Sequence, residues 1–434
     1  MSKVTGATAV TLRSRRALIG LGLIALLVAW GIRSPAFALG VGIFVVAILA
    51  SIMMHEAGHF ATAKAFGVKA TQFFIGFGPT IWSRRRGETE YGVKAFPVGG
   101  FVRITGMTNL EEVDPADEPR SLRSKPAWQR VIVLSAGSFM HFVIAFVLLW
   151  VLAVGIGSAT APTTTVVTVV SCVPSSAQTP CSPGQKPQSP AQAAGMRTGD
   201  QIIAVAGVRV HSYSALVRQI RALPAGVPVR LTVLRSGRQL SLTVHLARPR
   251  WDVRHGKRVS FLGVAQTPVY VTTGPISAVG QAGREFGTIA SQSVTGLARI
   301  PCAVPVLFSK NRSNSPCGQI ASVVGAANAT GQVVASSYNW RDTVTQVVGI
   351  VIAVNIFVGI FNLLPLLPLD GGHIAIVLYE RLRAGVARRR HKPDPGLVDI
   401  GKLIPVSVGV FGLLVFLGLL LIAADIVNPL NLTQ

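Results

Sequence analysis

The segment His55-Glu56-Ala57-Gly58-His59 has residue types and a spacing that could do chemistry. Residues four apart on a helix project from one face, so its two imidazoles can share one metal ion. Glu56 then sits where a carboxylate can take a proton from water that the metal has acidified. Two imidazoles leave a zinc ion short of a third protein ligand. A compact zinc motif would place another His at position 65, which is Ala, or a Glu near position 79, which is Pro. Glu88 and Glu90 are candidates, but they follow Arg84, Arg85 and Arg86, a setting that suits solvated charge. Asp370 is the stronger candidate, as the first acid after a long apolar run in Asn362-Leu363-Leu364-Pro365-Leu366-Leu367-Pro368-Leu369-Asp370-Gly371-Gly372-His373. An ionised residue at membrane depth is costly and points to function. Two His and one Asp with an open fourth position would make a catalytic rather than a structural zinc site.

The elements that must position these residues are apolar. Of 434 residues, 50% are hydrophobic and only 13% charged, and mean hydropathy is +0.51. Ordinary soluble domains carry about a quarter charged residues, so a wholly soluble chain and a disordered one are both excluded. Five uncharged stretches are candidate spans: Ala17–Ile32, Ala36–Met54, Val131–Gly157, Thr343–Leu369 and Leu403–Ala424. Basic residues cluster before the first, between the second and third, and between the fourth and fifth. If each stretch crosses once, these clusters share one face, the cytoplasm. The net charge of +24 is therefore mostly topology, and no nucleic-acid partner is expected. The His pair and Asp370 then end inward-running spans at the same face and similar depth.

Cys172, Cys181, Cys302 and Cys317 all fall in the long insert between the third and fourth stretches, which this topology places outside. Thiols confined to the oxidising side suggest disulfides. Pairing 172 with 181 and 302 with 317 is the simplest of the three connectivities. Residues 1–35 read as an extra N-terminal helix or, with Ala36-Phe37-Ala38 after them, as a signal-like segment.

With His55-Glu56-Ala57-Gly58-His59 near one end and Asn362 to His373 near the other, residues 36–434 resemble the site-2 protease family of intramembrane zinc metalloproteases, and among these the bacterial members with an external PDZ domain. The resemblance implies His55, His59 and Asp370 as ligands of Zn2+ and Glu56 as the catalytic carboxylate. It implies that Asn362 and Pro365 handle substrate. It also implies a membrane-re-entrant hairpin over Glu90–Met107, turning at Pro97, Gly99 and Gly100, whose edge strand receives the substrate backbone. Substrates would be single-pass membrane proteins, such as anti-sigma-factor-like regulators or signal-peptide remnants. The setting would be the lipid bilayer of the bacterial cytoplasmic membrane. Two departures stand out. The second proline, Pro368, comes one place later than in the family pattern, and His141, in Gly137-Ser138-Phe139-Met140-His141, occupies a position where relatives usually carry Asn. A polar contact between helices suits His141 better than metal ligation.

In the insert, Ala194-Gly195-Met196-Arg197-Thr198-Gly199-Asp200-Gln201-Ile202-Ile203 resembles the corresponding stretch of bacterial PDZ domains. Such a domain would capture a peptide ligand or exclude substrates with bulky external parts. The expected fold is a polytopic α-helical membrane protein: four core transmembrane helices plus an extra N-terminal helix, a membrane-associated β-hairpin and an extracytoplasmic α+β PDZ domain. The expected divisions are 1–35, the N-terminal extension; 36–163, the first part of the membrane core; 164–248, the PDZ domain; 249–342, an extracytoplasmic connecting region with an amphipathic helix from Pro275 to Ala298; and 343–434, the rest of the core. Two other readings remain: a membrane zincin of another class whose third ligand is Glu88 or Glu90, and a non-enzymatic PDZ scaffold.

Overall fold

The computed structural model describes residues 34–108, 110–160, 167–173, 187–249, 253–254, 257–266, 269–309, 312, 315, 317–336 and 340–430. The expected N-terminal helix, Cys181 and most of the Pro/Ser/Gln-rich tract at 174–190 lie outside these residues. The described chain divides into a unit of residues up to 151 and from 275 to 430, and a smaller unit of 152–274.

The larger unit begins with α1 (Pro35–Ala65), an uninterrupted helix of 31 residues. About 20 apolar residues span a bilayer, so α1 carries its apolar run and the whole His-Glu motif on one rod. Gly67, at φ +66, lets the chain turn into β1 (Ala70–Arg86), which pairs antiparallel with β2 (Thr89–Ile104). Thr80–Arg86 faces the start of β2. Phe73, Phe74 and Ile75 are bordered by Val102, Phe101 and Gly100 on one side and by Tyr91, Gly92 and Val93 on the other. The hairpin therefore turns at Gly87, not at Pro97–Gly100 as the sequence suggested, and residues 97–100 lie within β2. Phe101–Ile104 pairs with β1 rather than with Tyr91–Phe96, because the aromatic-rich Ala70–Phe77 stretch supplies a longer partner.

Helix α2 (Ala127–Val151) continues through a π-helical segment, Leu152–Ile156. Among the described residues four apolar helices are long enough to cross a membrane: Pro35–Ala65, Ala127–Ile156, Trp340–Asn362 and Ile400–Val427. The chain is a multi-pass helical membrane protein. The expected fourth span stops short of Leu369: the helix ends at Asn362, where Leu363–Leu369 forms a turn carrying two prolines.

The smaller unit holds β3 (Ser158–Thr160), β4 (Val167–Val169), a single-turn helix α3 (Pro190–Ala193), β5 (Gln201–Val205), β6 (Val208–Arg209), α4 (Tyr213–Ala222), β7 (Pro228–Arg235), β8 (Arg238–His245), the short pair β9 (Val253–Arg254) and β10 (Lys257–Arg258), β11 (Val264–Gln266) and β12 (Val269–Val271). Strand order in its main sheet is β6-β5-β7-β8, with β4 paired to β11 and β3 to β12. Alternating residues of β5 and β7, among them Ile202, Leu231 and Val233, are buried against Leu216 and Ile220 of α4. Leu262 joins this core, so the unit extends past 248 and takes in residues 249–274 as well as 152–163.

From Pro275 the chain rejoins the larger unit as α5 (Pro275–Ala298), which packs on α2 through a Phe142–Phe286 edge contact. A single-turn helix α6 (Ile300–Ala303) opens a loop closed by the Cys302–Cys317 disulfide. Cys172 is also disulfide-bonded. Helix α7 (Val323–Ser336) lies so close to α1 that a Cβ on Gly40 would meet Thr330 O at 2.7 Å. Helices α8 (Trp340–Asn362), α9 (Asp370–Arg389) and α10 (Ile404–Val427) complete the fold. Arg312, 1% exposed, donates to Asp425 Oδ1 at 2.5 Å and to the carbonyls of Gly318, Ile320 and Asn428. The stapled loop is thereby fastened to the end of α10.

Candidate metal centre

Helix α1 sets His55 and His59 one above the other. Their rings meet edge-on with centroids 4.7 Å apart, and the two Nε2 atoms are 3.1 Å apart. Asp370 is the first residue of α9, and its Oδ2 lies 3.4 Å from His55 Nε2 and 3.4 Å from His59 Nε2. The turn after α8 delivers it. Gly371 packs so tightly on the backbone of Leu363 and Leu364 that an added Cβ would meet both carbonyl oxygens at 2.3 Å.

These three donors form a triangle with sides of 3.1, 3.4 and 3.4 Å. A tetrahedral ion about 2.0–2.1 Å from each donor needs separations of about 3.3–3.4 Å. The triangle fits zinc, and among the described residues these three are the group of His, Cys, Asp and Glu close enough to hold a metal. Asp370 Oδ2 is buried without a hydrogen bond, as suits an oxygen reserved for an ion. Helix α2 passes close to the donors: a Cβ on Gly137 would stand 2.3 Å from His59 Nε2 and 2.6 Å from His55 Nε2.

Supporting contacts fix the donors. His59 Nδ1 is 2.7 Å from Val133 O, which turns Nε2 toward the triangle. Gly58 lets α1 approach α2, since a Cβ there would meet Ala136 O at 2.6 Å. Glu56 accepts a hydrogen bond from Val102 N at 3.0 Å, so the carboxylate beside the triangle is tied to the β2 border. Gly100 permits that approach, because its Cβ would meet Met53 Sδ at 2.5 Å. Gly99 is buried next to it against the Phe77 ring. Asn362 is the last residue of α8, and Pro365 is exposed in the turn leading to Asp370.

Glu88 is placed elsewhere, bound to Lys64 and, at 2.7 Å, to Arg120. Glu90 sits in β2 opposite Gln72 and Arg85. Neither joins the triangle. Sequence reasoning missed Val102, whose contribution is a backbone N–H and leaves no mark in residue type. It also missed Asn355, which meets His141 Nδ1 at 2.8 Å. An amide in the middle of an apolar span is a signal that could have exposed it.

Comparison with known proteins agrees with this geometry. The family model described as Peptidase family M50 matches residues 43–393. The chain is 34% identical over 415 residues to zinc metalloprotease Rip1 of Mycolicibacterium smegmatis, covering 92% of this chain and 100% of the relative. It is 35% identical over 421 residues to zinc metalloprotease Rip1 of Mycobacterium tuberculosis, with the same coverage of 92% and 100%. Similarity extends to the putative zinc metalloprotease FN1322 of Fusobacterium nucleatum, 29% identical over 341 residues, covering 79% of this chain and 88% of that one. With a matching model over most of its length and relatives aligned along nearly all of it, the chain belongs to peptidase family M50, the site-2 proteases.

Proposed function

We propose that this zinc metalloprotease cuts single-pass membrane proteins within or beside their transmembrane segment, using His55, His59 and Asp370 as zinc ligands and Glu56 as the proton-transfer group. The observation that carries the reading is the donor triangle of 3.1, 3.4 and 3.4 Å, with a carboxylate one residue from His55. Bound zinc supplies Lewis-acid polarisation of the scissile carbonyl and acidifies water. Glu56 takes the proton from the attacking water and hands it to the departing amide nitrogen. The Val102 N–H holds one carboxylate oxygen, leaving the other free to face the reacting atoms.

A transmembrane helix conceals its peptide bonds, so cleavage requires an unwound stretch whose backbone groups find partners away from water. The β2 border at Gly100–Ile104, reaching Glu56 through Val102, is where an extended segment would add, with Gly99 and Gly100 giving close backbone access. Asn362 and Pro365, in the break between α8 and Asp370, would handle the segment from the opposite element. Anti-sigma-factor-like regulators and signal-peptide remnants fit this requirement. The 152–274 unit fits a PDZ domain, with its four-stranded sheet and helix α4, and would lie outside the bacterial cytoplasmic membrane. There it would bind a peptide or hold back substrates with large external parts, while the metal centre lies toward the cytoplasm.

The test uses purified protein in detergent with a single-pass substrate. Wild type cleaves it. Glu56→Gln retains zinc and loses at least about a hundredfold in rate, whereas Asp370→Asn loses zinc as well. An uncleaved substrate with wild type, or full zinc content in Asp370→Asn, contradicts the proposal.

A further inference from the structure

Zinc-binding histidines ordinarily donate the hydrogen of their far ring nitrogen to an acceptor, which fixes tautomer and orientation. His59 does so through Val133 O. His55 does not: its Nδ1 is buried and makes no hydrogen bond. Packed against that ring is His141 of α2, with centroids 5.1 Å apart and planes inclined at 44°. His141 is held in turn, because its Nδ1 lies 2.8 Å from Asn355 Oδ1 while Asn355 Nδ2 donates to Val351 O at 2.8 Å. The Asn355 amide spends an N–H on its own helix and turns its oxygen to His141, which must answer with Nδ1–H. The neutral His141 ring then presents a lone pair at Nε2. Both residues are buried, His141 at 3% and Asn355 at 1% exposure. At a centroid separation of 5.1 Å two imidazoles come within N–H···N reach when their nitrogens face each other, and here the rings are turned aside, since His55 Nδ1 makes no hydrogen bond.

We infer that His141 Nε2 is the acceptor for the His55 Nδ1 hydrogen when zinc is held, the two rings turning until these nitrogens face each other. Asn355 orients His141, and His141 orients His55, so that α8, α2 and α1 jointly aim one ligand. His141 is thus a positioning residue for the metal. The inference rests on the reading of His55 as a zinc ligand.

The experiment measures zinc affinity of the full chain in detergent by competition with a chelator. His141→Ala is expected to weaken zinc binding by about 10–100-fold, and Asn355→Leu to weaken it less, in the same direction. His141→Asn, whose amide oxygen can accept from His55, recovers most of the affinity. With cobalt in place of zinc, the ligand-field absorption shifts in His141→Ala and returns in His141→Asn, which a contact serving only helix packing would not produce. The inference is overturned if His141→Ala binds zinc within about twofold of wild type while His55→Ala loses it. That is the result expected if the Gly137 carbonyl, which also approaches the His55 ring, is the acceptor. Unchanged zinc affinity in His55→Ala would instead overturn the metal-site reading. Should His141→Ala fail to fold, the comparison of Asn355→Leu with His141→Asn decides, and wild-type affinity in Asn355→Leu overturns the inference.

Discussion

The space beside Gly137 is taken by the imidazoles of His55 and His59. An added methyl would stand 2.3 Å from His59 Nε2 and 2.5 Å from His55 Cε1, inside van der Waals contact and against the nitrogens that would hold the ion. Gly137→Ala should therefore abolish zinc retention while α2 still forms, Ala being the better helix former. Metal analysis alongside circular dichroism checks this, and a zinc-replete Gly137→Ala protein would contradict the close approach. At the residue scale the sequence was legible where side-chain chemistry is distinctive. His55, Glu56, His59 and Asp370 announced themselves by type, spacing and the cost of charge in an apolar run. What stayed hidden was made of backbone and absence: the Val102 N–H, the Val133 carbonyl and the missing Cβ of Gly137.

Two elements bring chemistry to α1. The first is β2, whose residues 100–104 border the sheet with Val102 turned to Glu56. Since that N–H is committed to the carboxylate rather than to β1, proline at this position removes one charge-assisted hydrogen bond and leaves the ladder partner in place. Val102→Pro should slow cleavage by about tenfold or more with zinc content unchanged, the size expected from losing a hydrogen bond to a charged group. Single-turnover rates measure it, and an unaltered rate would remove Val102 from the site. The second element is the turn between α8 and α9. It places Asp370 at a helix N-terminus, where the aligned peptide dipoles favour a carboxylate. The sequence betrayed the break through Pro365 and Pro368 but not its extent, because an apolar run looks the same whether it continues a span or folds back under it. The hairpin was misjudged for a related reason. Glycines at 99 and 100 read as a turn, whereas they are close-approach sites: Gly100 lies against Met53 and Gly99 against Phe77.

At the scale of the molecule, each of the two compact units has its own apolar core. The 152–274 unit carries an internal ion pair, Asp200 with Arg235, at 2.7 Å, with Asp200 1% exposed. Hydrogen bonding from Arg235 holds the Asp200 carboxyl below its ordinary range, against the opposing effect of burial. A depressed carboxyl contributes stability above its unfolded pKa, and that contribution is lost as pH falls through the folded value. Hydrogen-exchange protection across β5 and β7, corrected for the intrinsic pH dependence of amide exchange, should thus stay high at neutral pH and fall below about pH 4. Asp200→Asn should flatten this dependence, and an unchanged pH profile would discount the pair. Composition and charge clusters made the membrane class legible at once, since four long apolar helices need no tertiary context to be recognised. The limits of the smaller unit were not legible, because its last strands have only three residues each and gain their identity from their partners β4 and β3.

The fastening of Arg312 has a bearing on how the chain is made. Its ionic partner lies 113 positions downstream, at Asp425, and another of its acceptors is the carbonyl of Asn428. A ribosome emits the guanidinium long before it emits the carboxylate, so throughout synthesis of α7, α8 and α9 this cation must remain hydrated. Burying it without its counter-charge would be strongly unfavourable. Closure of the loop over the last helix therefore waits for the final span, and a nascent chain stalled short of Asp425 would display Arg312 to solvent, a mark of incompleteness that a finished copy conceals.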